Sequence, residues 1–321
     1  MSRKPITLEN PGHRKVAATW LATVLTLACS SAAGGAPLLK PRQVIWGYGQ
    51  GESFTRPSGV AFDPGDGALY VGNTGEHRID VFSATGRPLC RFVHRVVRSD
   101  GSVVDGSPCA LAFDRSGRLL VVDQVATYVD VLDRRGRFIA RLDIAAGHPN
   151  AVAVAGDGTI FVGTTAEASK IYRFRPDLTP DGSWGEAGTD LGHLFNVTGL
   201  AVTADGAIAV ACARTDQVIQ IFTATGQYLR GFGLHDVGDG NFSLPSGVAA
   251  TADGRIWVVD EIRQTLQVFD GEGTLVAKTG GRGIAPGEFA HPSSLASDER
   301  GLIALTDREI GRVQVFTVAD Q

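Results

Sequence analysis

The sequence has no apolar stretch long enough for an ordinary membrane-spanning helix. Its longest, residues 16–28, has 13 residues, against about 20 for a span. It also lacks a Gly-x-Ser-x-Gly elbow, a phosphate-binding P-loop and a dinucleotide fingerprint, so those hydrolase, nucleotide-hydrolase and dehydrogenase readings have no motif. No His-x-His, His-x-x-x-His or Cys-x-x-Cys pair offers a short zinc-ligand spacing. Lysine is scarce, 5 residues against 25 arginines, and no evident Lys/Arg block occurs. The net charge is −4, or −7 once residues 1–28 are set aside. A mildly acidic chain of this kind suits neither DNA nor RNA phosphates, and no nucleic-acid partner is expected. Four cysteines are present. Beyond Cys29, the remaining Cys90, Cys109 and Cys212 are odd in number, which argues against a disulfide framework. They are expected to be small buried residues.

What the sequence does have is a unit recurring about every 47 residues. Pro57-Ser58-Gly59-Val60-Ala61 begins one copy and Pro245-Ser246-Gly247-Val248-Ala249 another. Aligned on Gly59, Ala110, Ala151, Gly199, Gly247 and Ser294, the spacings are 51, 41, 48, 48 and 47 residues. Copy one reads as strands at 58–63, 68–72, 78–83 and 88–93, with mostly period-two alternation. Turn dipeptides such as Asp66-Gly67, Asp157-Gly158, Asp205-Gly206 and Asp253-Gly254 supply the positive φ of a tight hairpin. Four antiparallel strands repeated six times predict an all-β, six-bladed β-propeller.

The copies resemble the NHL-repeat family, with its Phe-x-x-Pro-x-Gly-Val-Ala … Val-x-Asp … Arg-Ile-x-Val-Phe … Gly pattern. Phe54, Pro57, Gly59, Val60 and Ala61 carry it, as do Phe242, Pro245, Gly247, Val248, Ala249, Val258 and Asp260. Copies two to four are degenerate, with Thr164 and Cys212 where Asp is expected. The resemblance covers residues 44–317 and implies a propeller. Copy six ends after Phe316 without a fourth strand, while residues 43–48 match the end of copy four. The N-terminal strand is therefore expected to close the last blade, leaving no open edge.

Residues 1–28 read as a signal peptide: Arg3, Lys4, Arg14 and Lys15 precede the apolar run, and small residues follow. Residues 29–42 then form a flexible linker and 43–321 the propeller. Leu27-Ala28-Cys29-Ser30 resembles a bacterial lipobox, which implies lipid attachment at Cys29, although Thr26 stands where the family prefers Leu. Ordinary cleavage after Ala32 or Ala33 satisfies the small-x-small rule equally. Either route places the domain outside the cytoplasm, in the periplasm or cell envelope, and the lipid route adds a membrane tether.

In propellers the loops joining the second strand to the third, and one blade to the next, open on one face. All six histidines beyond the leader are assigned to such loops: His77, His94, His148, His193, His235 and His291. Of these His77, His148, His235 and His291 are candidate ligand-binding residues. Arg56, Arg214, Arg263 and Arg312 join them, and Arg214, Arg263 and Arg312, with Arg78, read as a partly positive mouth suited to a carboxylate or an acidic segment. Asp123, Asp260 and Asp307, with Asn73, are expected to hydrogen-bond their own loop amides. One enzyme with this propeller, peptidyl-α-hydroxyglycine lyase, places zinc-binding histidines just after the blade Pro. The matching positions here are Ser58, Cys109, Asn150, Thr198, Ser246 and Ser293, so that activity is not expected. No catalytic constellation, metal or cofactor is assigned. The reading is a monomeric binding or scaffold module for a protein or small-molecule ligand. Its alternatives are a metal-dependent lyase or lactone hydrolase using loop histidines, and an extracytoplasmic sensor domain.

Overall fold

The computed structural model describes residues 38–49, 51–165 and 168–319. Cys29, the signal segment and residues 29–37 of the linker lie outside them. Six four-stranded antiparallel sheets form the blades. Blade one comprises Pro57–Phe62, Leu69–Asn73, Arg78–Phe82 and Pro88–Val93, within one or two residues of the strands read from the repeat.

The closing strand is Leu39–Ile45, which pairs antiparallel with Arg312–Val318 from Leu39↔Val318 to Ile45↔Val313. It starts inside the segment assigned to the linker and ends before Trp46. Leu38 and Leu39 are buried with Trp257, Phe289 and Phe316, so apolar burial draws the chain into the sheet before Gln43. At the other end Trp46 O accepts the Phe54 amide at 2.9 Å and begins the loop to blade one.

Two of the segments that join successive blades contain strands of their own. Residues 93–108 contain a small hairpin, Arg95–Val97 with Val103–Asp105. Within 176–197, Pro180–Trp184 is the fourth strand of blade three. The first strands of the six blades meet around the axis. A Cβ on Gly59 would lie 3.0 Å from Ala110 Cα, and one on Gly247 3.0 Å from Ser294 Cα. Glycine recurs in the Pro-x-Gly-Val-Ala unit because neighbouring inner strands approach this closely. Apolar side chains between successive blades make the core.

The expectation of three buried cysteines fails at Cys90, which is exposed. It lies on the fourth strand of blade one, an outer edge whose residues face water. Cys109 is partly covered and Cys212 buried; burial pushes each of these thiols up to about 12. No helix of the described residues is long and apolar enough to cross a membrane.

Candidate functional site: the loop face and the channel mouth

The loop face is built by a few buried polar side chains. Asp260 Oδ1 and Oδ2 accept the amides of Leu244, Arg263 and Ser243 at 3.2, 2.9 and 2.6 Å. Asp307 accepts those of Ala290 and His291 at 3.1 and 3.0 Å, and Asn73 that of Thr55 at 2.8 Å. The recurring acid thus holds its own loops.

A second set was not anticipated. Gln220, Gln267 and Gln314 occupy the middle of the third strands of blades four, five and six and are buried. Each uses both amide groups on the loop entering its blade. Gln267 Oε1 accepts Gly240 N at 2.8 Å while Nε2 donates to Asn241 O at 2.8 Å. Gln314 does the same with Gly287 N and Glu288 O, and Gln220 with Gly192 N and His193 O. The signal was legible as a repeated Gln between apolar residues in Ile219-Gln220-Ile221, Leu266-Gln267-Val268 and Val313-Gln314-Val315.

Arg312, assigned to a positive mouth, belongs to this internal framework. It is fully buried. Its guanidinium donates to the carbonyls of Ile284, Ala285 (3.3 Å) and Glu288 (2.7 Å), and Nε lies 3.6 Å from Asp307. Burial lowers its pKa from the ordinary value, against the pull of Asp307. It is unavailable to a ligand.

The remaining candidates scatter. Arg263 spends its guanidinium on Gly238 O and Asn241 O at 2.9 and 2.7 Å. His77 has a left-handed backbone (φ 58) and its Nδ1 lies 2.6 Å from Gly106 O. Arg56 (φ 54), Arg214, His148 and His235 are exposed. His148 opens the inner strand His148–Val154 and so is not a loop residue. Only His291 sits among charged partners, with Nδ1 3.3 Å from Glu261, Nε2 3.2 Å from Glu309, and Arg308 3.6 Å from Glu261. No group of three or more His, Cys, Asp or Glu among the described residues is arranged to hold a metal ion.

His94 is buried in place of standing on the mouth. Its Nδ1 is 2.8 Å from Asp123 and its Nε2 3.2 Å from Asp130, with Arg141 3.5 Å beyond on Asp130. Its backbone joins the small hairpin to blade one, through His94 N to His77 O and Gly106 N to His94 O. Burial opposes the imidazolium, but hydrogen bonds to Asp123 and Asp130 and their charges outweigh it, raising the pKa from 6.5 to about 9. The folded pKa is the higher, so this stabilisation is complete below about 6.5 and lost as pH rises through about 9. The full difference is worth about 3 kcal/mol. His94→Gln should lower the melting temperature near neutral pH and flatten its decline on the alkaline side; an unchanged alkaline slope in thermal melts contradicts the assignment.

The axial throat is lined by Cys109, Asn150, Thr198, Ser246 and Ser293, the second residues of their blades' first strands or their equivalents. All are neutral, and several bond to the next blade. Asn150 donates to Val197 O (2.9 Å), Ser246 to Pro292 O (2.9 Å) and Ser293 to Pro57 O (3.2 Å). Thr74 reaches Pro108 O at 2.7 Å. The cavity among them is about 60 Å³, room for a few waters. Small-molecule pockets span about 300–1,000 Å³.

Large apolar side chains stand exposed on the loops of this face instead. Val237 is 87%, Ile284 73%, Ile262 57% and Leu234 51% exposed. Val237 and Ile284 hold equivalent places in successive loops, each two residues after a bridge, His235↔Phe242 and Arg282↔Phe289.

A family model described as a 6-bladed beta-propeller matches residues 244–319, blades five and six. Among solved structures, a gluconolactonase from Xanthomonas campestris is 20% identical with a TM-score of 0.59, covering 83% of this chain and 86% of that one. A virginiamycin B lyase from Staphylococcus aureus is 11% identical, also with a TM-score of 0.59, covering 84% and 83%. At these identities the likeness is one of fold. No curated protein matches the sequence.

Proposed function

We propose that this chain is an exported, N-terminally tethered six-bladed propeller of NHL type that binds a protein partner on its loop face, at blades four to six. The observation that carries this reading is the throat. A neutral ring, with Asn150, Ser246 and Ser293 spent on hydrogen bonds to the next blade, surrounds about 60 Å³, far below a small-molecule pocket, while the loops of the same face present apolar tips. Clustered exposed apolar side chains mark interaction surfaces. The tips are also rigidly mounted, since Arg263 and Gln267 hold one loop and Arg312 and Gln314 the next. Preorganised loops lose little entropy on binding. Export rests on the signal-peptide reading of residues 1–28, and tethering on the lipid-attachment reading of Cys29.

Val237→Asp combined with Ile284→Asp places two charges in the proposed contact. The expected result is at least a hundredfold loss of a partner captured from the cell envelope by the wild-type protein, at about 2 kcal/mol per apolar anchor, with the melting temperature unchanged. Equal capture by both proteins overturns the reading.

A lactone-hydrolase reading draws on His291, a partly exposed histidine bracketed by the carboxylates of Glu261 and Glu309. The throat residues do not fit the metal such a reading requires, because Ser, Thr, Asn and a thiol raised by burial form a poor set for a divalent ion. Gluconolactone turnover that depends on added divalent metal and is abolished by His291→Ala would establish that reading over binding.

A further inference from the structure

The face opposite the mouth, where first strands turn into second and third into fourth, has its own charge pattern. Blade two gathers Arg115 and Arg118 from one turn with Arg134, Arg135 and Arg137 from the other. Four of them, Arg118, Arg134, Arg135 and Arg137, line an open cleft of about 310 Å³, and Arg115 is exposed on the same turn as Arg118. Three of the five have acidic partners that lie deeper than they do. Asp63 and Asp114 are buried beneath the more exposed Arg134 and Arg118, and Asp133 lies under Arg137. Arg115 and Arg135 are exposed and make no ion pair among the described residues. The outward surface is therefore guanidinium, on a domain that is acidic as a whole. Blades four and five have no counterpart, with Thr-Ala-Thr-Gly-Gln at 223–227 and Asp-Gly-Glu-Gly-Thr at 270–274.

Apolar side chains flank the arginines. Phe138 is 62% and Ile139 46% exposed where the fourth strand of blade two leaves its turn. In blade one Arg87 and Leu89 repeat the pairing, both exposed. Arginine beside exposed aromatic and aliphatic groups suits the boundary between lipid headgroups and acyl chains.

The chain's own course points the same way. The closing strand begins at Leu39 opposite Val318, and Ala319 N bonds Leu38 O at 2.9 Å, on this turn face. The 37 residues preceding Leu38, with the apolar run at 16–28, thus join the domain on blade six, which adjoins blade one and stands one blade away from blade two.

We infer that the turn face of blades one and two rests on a membrane surface carrying anionic phospholipid, so that the tether and the arginines act on one side and the loop face points away. The orientation rests on the tethered reading above; the lipid contact rests on the arginine cleft itself. Each basic residue near an anionic surface contributes roughly fivefold in binding, so three contribute on the order of a hundredfold.

The test uses the full chain with phosphatidylcholine vesicles, with and without phosphatidylglycerol. The leader's apolar run can enter either kind, so the informative quantity is the ratio of the two affinities. The expected preference for anionic vesicles is on the order of a hundredfold, falling with salt. Arg115→Gln/Arg135→Gln/Arg137→Gln should abolish it without changing the melting temperature, while the matching Lys substitutions keep most of it. Equal binding to both vesicles, or an unaltered ratio in the Gln variant, overturns the inference. So does displacement by inorganic phosphate at constant ionic strength, which would mark a free-anion site, or tighter binding of a nucleic acid. Failure of the tether is read separately, as an unchanged membrane distribution of Cys29→Ser in cells.

Discussion

A chain lacking residues 38–45 is expected to lose the closed ring and accumulate as insoluble protein. That segment supplies the fourth strand of blade six. Its removal strips Leu38, Leu39 and Ile45 from the core, roughly 6 kcal/mol at about 2 kcal/mol per buried aliphatic side chain. Whole domains are stable by only about 5–15 kcal/mol. It also leaves Arg312–Val318 as an open edge rich in Val and Phe, a template for pairing with another chain. A permuted chain that joins residues 38–49 after Ala319 through a short turn restores the same blade as an ordinary hairpin. It should recover soluble protein and cooperative melting. Comparable solubility and melting of the truncated and full chains would show that the strand does not close the fold.

Arg312→Ala is expected to lower stability by about 3–5 kcal/mol, because it removes one member of a buried charged pair and strands what remains. Asp307 keeps its charge, and the carbonyls of Ile284, Ala285 and Glu288 lose their donor. In a domain of this size that is a fall of roughly 10 °C in melting temperature. Arg312→Lys should recover only part of it, since an ammonium cannot span the same set of carbonyls. The loop that carries Ile284 should loosen with it, so partner binding and stability are lost together. Were Arg312 a ligand contact, binding would weaken with the melting temperature unchanged.

The architecture was legible because a propeller writes its fold into the sequence six times. The inner-strand glycines, Asp-Gly turns and loop-holding acids recur at fixed offsets, and each recurrence reports the same backbone demand. Even the closing strand could be placed from its likeness to copy four. Its start was misplaced because Leu38 and Leu39 match no repeat position and are fixed by burial against Trp257 and Phe289.

The site was legible only in part. Residue type suggested that a loop arginine or histidine faces solvent. Burial decides otherwise for Arg312 and His94, through Asp307 for one and Asp123 with Asp130 for the other. These partners are distant in sequence or one turn away, and spacing alone does not orient them. The arginine cleft illustrates the same limit. No long basic block exists in the sequence, yet two turns of one blade bring four arginines around one cleft. The apolar tips Val237 and Ile284 were hidden because single apolar residues in Gly-rich loops look incidental until the fold aligns them.

The central claim is that the loop face of blades four to six is where this protein meets its partner. Site-specific photocrosslinking in cells tests it most directly. A crosslinking side chain placed at Val237, and separately at Ile284, should each give the same discrete protein adduct. One placed at Thr225, on the opposite face, should not give it. Absence of that adduct from both loop positions, or its appearance at Thr225, would contradict the account.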